Sequence, residues 1–187
     1  MAKVNEFKDP PKSLSLRLVR REDAQEIFAL VEKSRVSLRE FLPWLDHNQT
    51  YKDTEKFLDS CLVDIEKRSA FTFAILDDKR IAGIVGYRPI DWANKAADPG
   101  YWLSVCSRGK GLGKWAVYKL LEHAFEELQL NRISIACATG NKASQKIPES
   151  LNFKFEGVKR EAEWLYDHFV DHKIYSMLRS EWLALKR

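Results

Sequence analysis

No stretch of the 187-residue chain approaches the ~18–20 uninterrupted apolar residues of a membrane span. The first residues, with Lys3, Glu6, Lys8, Asp9 and Pro10-Pro11, lack the apolar core of a signal peptide. A cytoplasmic location and no membrane partner are therefore expected. Cysteine is scarce: Cys61, Cys106 and Cys137 make an odd set of three with no close pair. That argues against a disulfide framework or a zinc site and reads as reduced thiols, mostly buried. The four histidines, His47, His123, His168 and His172, show no His-Glu-x-x-His spacing, so no metal is expected. An excess of one charge is also lacking. The 31 Lys and Arg against 27 Asp and Glu leave +4, too mild to argue a nucleic-acid partner and only slightly favourable to anionic ligands. Glycine and proline gather in no linker, and nothing repeats. The expectation is one domain over 14–187 behind a flexible N-terminal tail, 1–13.

Within a composition that is 45% hydrophobic and 31% charged, ordinary for a globular protein, the most informative stretch is Arg108-Gly109-Lys110-Gly111-Leu112-Gly113. It follows Tyr101-Trp102-Leu103-Ser104-Val105, residues suited to a half-buried strand. It precedes Leu112, Trp115, Ala116, Leu120, Ala124 and Leu128, which recur at helical spacing. Glycines at a strand-to-helix junction let backbone N–H groups converge on a ligand, and a helix N-terminus adds partial positive charge. Arg108, Lys110 and Lys114 bring full charges to the same place. The alternative is a glycine-rich turn with solvated cations. Two familiar phosphate loops fail on spacing. From Gly109 to Gly113-Lys114 is one residue short of a P-loop, and Trp115 stands where its hydroxyl should be. A dinucleotide fingerprint needs Gly-x-Gly-x-x-Gly near the start of a βαβ unit, and this loop lies mid-chain as Gly-x-Gly-x-Gly. A kinase-like nucleotide binder is excluded with them.

Elsewhere the pattern predicts a strand at Leu14–Leu18, a helix capped by Asp23 and carrying Ile27, Leu30 and Val31, and a short apolar segment from Phe41 to Leu45. A second helix from about Asp53 carries Phe57, Leu58, Cys61, Leu62 and Ile65. Strands follow at Phe71–Leu76 and Arg80–Tyr87, joined by a hairpin turn at Asp77-Asp78-Lys79, and at Gly100–Val105. After the glycine-loop helix come a strand at Ile133–Cys137, a short helix near Ser144–Leu151, and strands at Phe153–Val158 and Lys173–Leu178. Trp164-Leu165-Tyr166 is placed between those last two strands, near the loop Asp167-His168. The fold class is α/β (α+β), a mixed, mostly antiparallel sheet with helices on both faces.

The loop resembles the Arg/Gln-x-x-Gly-x-Gly/Ala motif of the GNAT N-acetyltransferases. Asn94 to Leu103, ending in Gly100-Tyr101-Trp102-Leu103, is similar to the Glu-Ile-Gly-Tyr-Trp-Leu strand of the branch that acetylates ribosomal-protein N-termini (RimJ/RimL-like). Cys137 to Ser144 is similar to its Cys-x-x-x-Asn-x-x-Ser segment. Ile147-Pro148-Glu149, Phe153-x-x-Glu156-Gly157 and Leu38 to Leu45 also resemble branch members. The likeness runs from about Leu14 to Trp182 and implies the GNAT acyl-CoA N-acyltransferase fold.

The resemblance implies acetyl-CoA as co-substrate, with no metal, and direct attack of a primary amine on the thioester. The acceptor it implies is the N-terminal α-amine of a protein, possibly ribosomal. A small amine or antimicrobial conjugate, or a catalytically silent acyl-CoA-binding module, stand as alternatives. By the same resemblance the pyrophosphate falls to Arg108, Gly109, Lys110, Gly111, Leu112, Gly113 and Lys114. The pantetheine arm falls to Leu103, Ser104, Val105 and Asn141, and backbone N–H groups of Leu103 to Val105 polarise the thioester carbonyl. Ser144 would donate to the leaving thiolate; for Asn141 and Ser144 alike, helix capping is the competing role. Asp98 stands where the branch has Glu and is the candidate base, although it is a methylene shorter and Pro99 follows it; its other reading is a residue opening a strand. Cys137 reads as a packed thiol, since no activating partner is adjacent, and His123 as a boundary residue on its helix. His47, His168, Trp44, Trp92, Trp164 and Tyr166 are candidates to wall the acceptor site, the aromatic ones equally candidates to close the core. The resemblance also implies a possible homodimer.

Overall fold

A computed structural model describes residues 13–186; the tail expected at 1–12 lies outside them. Ser13, counted with that tail, belongs to the fold, because its carbonyl accepts from the Asp78 N–H at 3.0 Å. The first sheet orders its strands β1 (Leu14–Leu18), β2 (Thr72–Asp77), β3 (Arg80–Tyr87) and β5 (Pro99–Leu103), all antiparallel. The hairpin between β2 and β3 turns on Asp78 and Lys79, at φ 49° and 66°, the pair of left-handed residues that a two-residue hairpin matched to strand twist requires. The second sheet runs β4 (Ala96–Ala97), β6 (Arg132–Ala138), β8 (His168–Leu178) and β7 (Lys154–Leu165). Its one parallel pair joins β4 to β6.

The expected mixed sheet thus comes in two halves, and the division falls within one short stretch of chain. Ala96-Ala97 pairs with β6, Asp98 intervenes, and Pro99 onward pairs with β3. From that point β5 runs beside β6 without joining its ladder. Proline at the branch has no N–H to give to a second neighbour, so the strand changes partner there and a gap opens.

Helices cover both faces. On one side lie α1 (Ala24–Arg39) and α2 (Tyr51–Glu66), whose Ile27, Val31, Leu38 and Leu58 bury against Ala74, Leu76 and Ile84 of the first sheet. On the other lie α3 (Leu112–Glu122), continued by a π-type turn over His123–Glu127, and α4 (Lys142–Ser150). Trp115, Ala116, Leu120 and Leu121 of α3 meet Val85, Ile133, Ile135 and Met177. A last helix, α5 (Arg179–Leu185), buries Trp182 in the same core.

Several expectations change. Asp23 stands at the N-cap of α1 as expected but makes no side-chain bond to that helix. Its carboxylate turns back to the Arg20 N–H (2.8 Å) and the Arg17 guanidinium (2.6 and 2.7 Å), stitching β1 to the short turn Arg21–Asp23. The second helix starts earlier than Asp53, at Tyr51, because Thr50 and Asp53 form a capping box. The strand expected to reach Val105 stops at Leu103, and Val105–Ser107 form a 3-10 turn. The largest difference is at the C-terminal end. Trp164 and Leu165 lie within β7 and not between strands, since β7 and β8 form one long hairpin with bulges at Phe155/Gly157 and Lys159/Glu163. The exposed polar run Lys159-Arg160-Glu161 hides the alternation that marks a half-buried strand, and the turn at Tyr166 (φ 61°) carries no glycine to announce it.

Candidate active site

The gap between β5 and β6 is where the sequence motifs converge. The Ser104 N–H donates to Ala82 O (2.9 Å), and Arg88 N–H to Asp98 O (2.9 Å), so even-numbered positions of β5 face β3. By antiparallel alternation the backbone groups of Tyr101 and Leu103 point the other way, toward the open side. The thioester polarisation expected along Leu103 to Val105 is narrowed by this, since Ser104 and Val105 are engaged elsewhere. The Val105 N–H donates to the Ser34 hydroxyl at 3.1 Å. Ser104 itself is buried, with a hydroxyl that has no partner among the described residues.

At the end of β5 the glycine loop serves two ends. Gly109 (φ 76°) and Gly111 (φ 80°) take left-handed backbone, and a Cβ on either would point into open space. Gly113 is needed for contact instead, because a Cβ there would meet Ile147 of α4 at 3.0 Å. Gly111 is the N-cap of α3, and Trp115 N–H is bonded to Gly111 O at 3.0 Å. The N–H groups of Leu112, Gly113 and Lys114 precede the first helical bond and face the loop's open side. Leu112's side chain is core, so only its backbone can meet a ligand. The Arg108 side chain reaches back to Leu103 O (3.3 Å), closing the loop onto β5, and Lys110 is exposed. The arrangement suits a pyrophosphate, with a pantetheine arm lying along the gap.

Asn141 and Ser144, at the start of α4, separate the two roles left open for them. Asn141 Oδ1 accepts from the Ser144 N–H at 3.0 Å, which makes Asn141 the cap. The Ser144 hydroxyl does no capping. It lies 3.0 Å from the Tyr101 hydroxyl and 3.3 Å from Cys137 Sγ. Burial pushes the Tyr101 phenol far above its ordinary value and raises the Cys137 thiol, so both keep their protons at neutral pH. Cys137 is thus a buried thiol packed beside the gap, while Cys106 is exposed. Tyr101, read in the sequence only as part of a strand motif, completes a chain of protic groups around Ser144.

A cavity of about 610 Å³ reaches this cluster from the opposite face of the sheet. Cys137, Ser144 and Asn141 line one end; Trp44, Phe41, His47 and Phe57 from the α1–α2 layer line the other. Gly86 and Gly100, paired across β3 and β5, form a bare stretch of floor. Glu163 and His172 line the wall contributed by the long hairpin, with His172 Nε2 3.4 Å from Glu163 Oε2. Neither was singled out from the sequence as a functional group. Asp98 is exposed at the strand junction and does not line the cavity.

The other wall candidates divide. Trp44 and His47 line the cavity. His168 instead pairs with Asp167 at the hairpin tip, and Trp92 donates to Arg68 O at 2.9 Å. Trp164 packs edge-on against Phe169. Tyr166 acts one step back: its hydroxyl donates to Leu42 O (2.6 Å) and its ring lies 3.7 Å under the Arg39 guanidinium. It thereby ties the hairpin tip to the loop that carries Trp44. His123, half-buried, packs on Phe71, Phe73 and Tyr87, away from the site. Among the described residues no group of His, Cys, Asp and Glu is placed to hold a metal, and no helix is long and apolar enough to cross a membrane.

Comparison with known proteins agrees with this geometry. Residues 13–154 match the family described as "Acetyltransferase (GNAT) domain". The chain is 27% identical to the ribosomal-protein-serine acetyltransferase of Escherichia coli (strain K12), covering 89% of this chain and 93% of that protein. Among solved structures it resembles the microcin C7 self-immunity acetyltransferase MccE in complex with acetyl-CoA and AMP, with TM-score 0.85 and 28% identity over 90% of this chain and 93% of that one. It also resembles the ribosomal-protein-S5-alanine acetyltransferase of Vibrio fischeri, with TM-score 0.85 and 25% identity over 92% and 97% of the two chains. The split sheet, the glycine loop and the matched family lead to one assignment: the chain belongs to the GNAT acetyltransferases and is an acetyl-CoA-dependent N-acetyltransferase.

Proposed function

We propose that this protein acetylates the N-terminal α-amine of a protein, in the first instance a ribosomal protein, by direct attack of the amine on acetyl-CoA. The observation that carries the reading is the Tyr101–Ser144–Cys137 cluster, reached from the CoA loop through the β5–β6 gap and from the acceptor cavity on the other face. Acetyl-CoA lies with its pyrophosphate against the N–H groups of 109–114 and its thioester beside Ser144. The amine gives up its proton to the Glu163–His172 pair and forms a bond to the carbonyl carbon. The tetrahedral oxyanion then collapses, the C–S bond breaks, and the thiolate is met by the Ser144 hydroxyl, itself oriented by the Tyr101 phenol. An α-amine has an ordinary pKa near ~7.7–8.0 against ~10.4 for lysine, so an imidazole–carboxylate pair is base enough. Asp98 is the other candidate base, acting from outside the cavity through solvent.

One domain over 14–187 carries this activity, in the cytoplasm. The exposed Phe155, Val158, Trp164 and Phe169 on the long hairpin favour a homodimer built on that face. The likeness to MccE favours one second reading, a small-amine or antimicrobial-conjugate acceptor. Thiol release from acetyl-CoA, measured with Ser- and Ala-starting peptides and with small amines, decides between them. Turnover on a peptide that stops when its N-terminus is blocked supports the α-amine; turnover on small amines alone overturns it.

A further inference from the structure

Among the described residues, Arg88 is the only arginine or lysine lining the acceptor cavity. It follows β3 directly, in the same row of the sheet as Asp98, whose carbonyl accepts the Arg88 N–H. Its guanidinium forms no hydrogen bond or ion pair with the described residues. Arg17, Arg39 and Arg132 are held by Asp23, Asp46 and Glu156; Arg88 shares its lack of a carboxylate with arginines such as Arg20, Arg68 and Arg160, and differs from them in lining the cavity. The two acidic residues on the cavity wall are already engaged. Asp53 accepts from the Thr50 N–H (2.9 Å) and hydroxyl (2.7 Å) at the start of α2, and Glu163 faces His172. An exposed cation that forms no ion pair, with Asp98 across the strand as the nearest carboxylate in its row, thus stands at the cavity the acceptor would enter.

Its placement sets what it can meet. Between Arg88 and Trp102 the cavity is lined by Gly86, tight against the Phe71 carbonyl, and by Gly100, where a Cβ meets nothing within 4 Å. An extended chain can lie there. From the Arg88/Asp98 row to Tyr101, whose hydroxyl touches Ser144, is three residues along β5, about 10 Å at ~3.4 Å per residue. An acceptor peptide has the same rise, so an amine held at Ser144 brings the side chain of its second or third residue within reach of the guanidinium.

We infer that Arg88 reads a carboxylate on the second or third residue of the acceptor, so that the preferred substrate is a protein N-terminus with an acidic side chain just behind the reacting amine. The inference rests on the α-amine reading above. A guanidinium and a carboxylate make a charge-assisted, often bidentate pair; Arg88 is exposed at the cavity rim, so the pair is solvent-screened and modest. A small amine that carries its own carboxylate offers the same chemistry, so the test must separate the two sources.

Otherwise identical Ser-starting peptides carrying Asp or Asn at the second position, or at the third, are compared by kcat/KM in the thiol-release assay. The wild type is expected to favour Asp by about three- to fivefold at one of the two positions, the size of an exposed ion pair. Arg88→Gln brings that ratio near one, Arg88→Lys keeps part of it, and Arg88→Glu favours a Lys-bearing peptide. Calorimetric CoA binding by each variant verifies that it is folded. Equal wild-type rates for Asp and Asn at both positions, or a preference that survives in Arg88→Gln, overturns the assignment. So does a carboxylate preference found only with amino-acid-sized amines. Peptide binding to the CoA-saturated protein reads the same ratio without turnover. Acid-selective binding with no acetylation overturns the α-amine reading and leaves Arg88 in its role. Even acetylation of every peptide overturns Arg88 alone, and neither binding nor turnover of any peptide overturns both.

Discussion

The two sides of the split sheet are built on different principles. The side proposed for CoA is made by backbone and by neighbours in sequence: three glycines at alternate positions, a helix N-terminus behind them, and Asn141 capping α4 three residues before Ser144. The side proposed for the acceptor is made by side chains from segments far apart in the chain, with Trp44 after α1, Arg88 after β3, and Glu163 and His172 on a hairpin more than a hundred residues from Trp44. Fixed backbone donors suit a co-substrate that never changes, whereas side chains on loops and a hairpin can be exchanged without disturbing the strand junction. One scaffold can thus keep its acyl donor while its acceptor varies.

If the cluster in the gap is the point where both sides meet, damage there should be the most severe. Ser144→Ala removes the hydroxyl proposed to meet the leaving sulfur and is expected to lower kcat by about 10²–10³-fold, as loss of one donor to developing charge does. The melting temperature should fall only by a few degrees, because the Asn141 cap stays in place and the Tyr101 hydroxyl keeps its bond to Ser144 O when the side-chain bond is lost. Kinetics and a thermal melt on the one variant check both halves. A large drop in melting temperature with kcat intact would return Ser144 to a structural role.

The next largest effect tests whether the acceptor side supplies the base. Glu163→Gln and His172→Gln are each expected to reduce kcat/KM by about 10²-fold at neutral pH, within the usual range for a positioned proton acceptor. Their pH profiles should keep only the limb set by the amine, near ~7.7–8.0. Asp98→Ala run in the same profile discriminates the two candidates: a loss as deep as that of Glu163→Gln would assign the proton to Asp98 instead.

The contrast between the sides also explains what the sequence discloses. Gly109 and Gly111 are legible because each fills a left-handed backbone requirement that few other residues satisfy, Gly113 because it lies close to Ile147 of α4, and Asn141 with Ser144 because both lie within one turn. The strand-to-helix order is legible for the same reason, from Leu14 alternating with polar residues to the stripe beginning at Leu112. Glu163 and His172 carry no local signal: they face each other only because β7 and β8 pair across their bulges. Arg88 looks like any strand-end cation until the neighbours of its guanidinium are counted. Asp23 misleads for a related reason, since Arg17, six residues earlier, outcompetes the helix N-terminus for its carboxylate. Adjacency in sequence reveals backbone sites; side-chain sites assembled by a sheet need the sheet's register.

A milder change sharpens the claim that the CoA side is a backbone device. Gly111→Ala places a Cβ on a residue at φ 80°, where an L-residue pays roughly 1–2 kcal/mol. Since the new methyl meets nothing, the cost falls on the loop conformation alone. CoA affinity should weaken by about tenfold, the equivalent of ~1.4 kcal/mol, while peptide discrimination stays unchanged. Calorimetry with CoA and a peptide panel separates the two quantities, and a change in acceptor preference would show that the sides are not independent.

The smallest expected effect probes the acceptor side at a distance. Tyr166→Phe deletes the hydrogen bond to Leu42 O and leaves the ring under Arg39, so about 1 kcal/mol of local stability is at stake. The hairpin tip and the Trp44 loop would lose a tie without losing a contact with substrate. KM for the acceptor should therefore rise by a few fold, while kcat at saturation and the affinity for CoA stay as they were. If both rise together, the hairpin holds the acceptor wall and the β5–β6 gap as one body. If only the acceptor term moves, the wall is a separately adjustable part, which the division between backbone-built and side-chain-built halves requires.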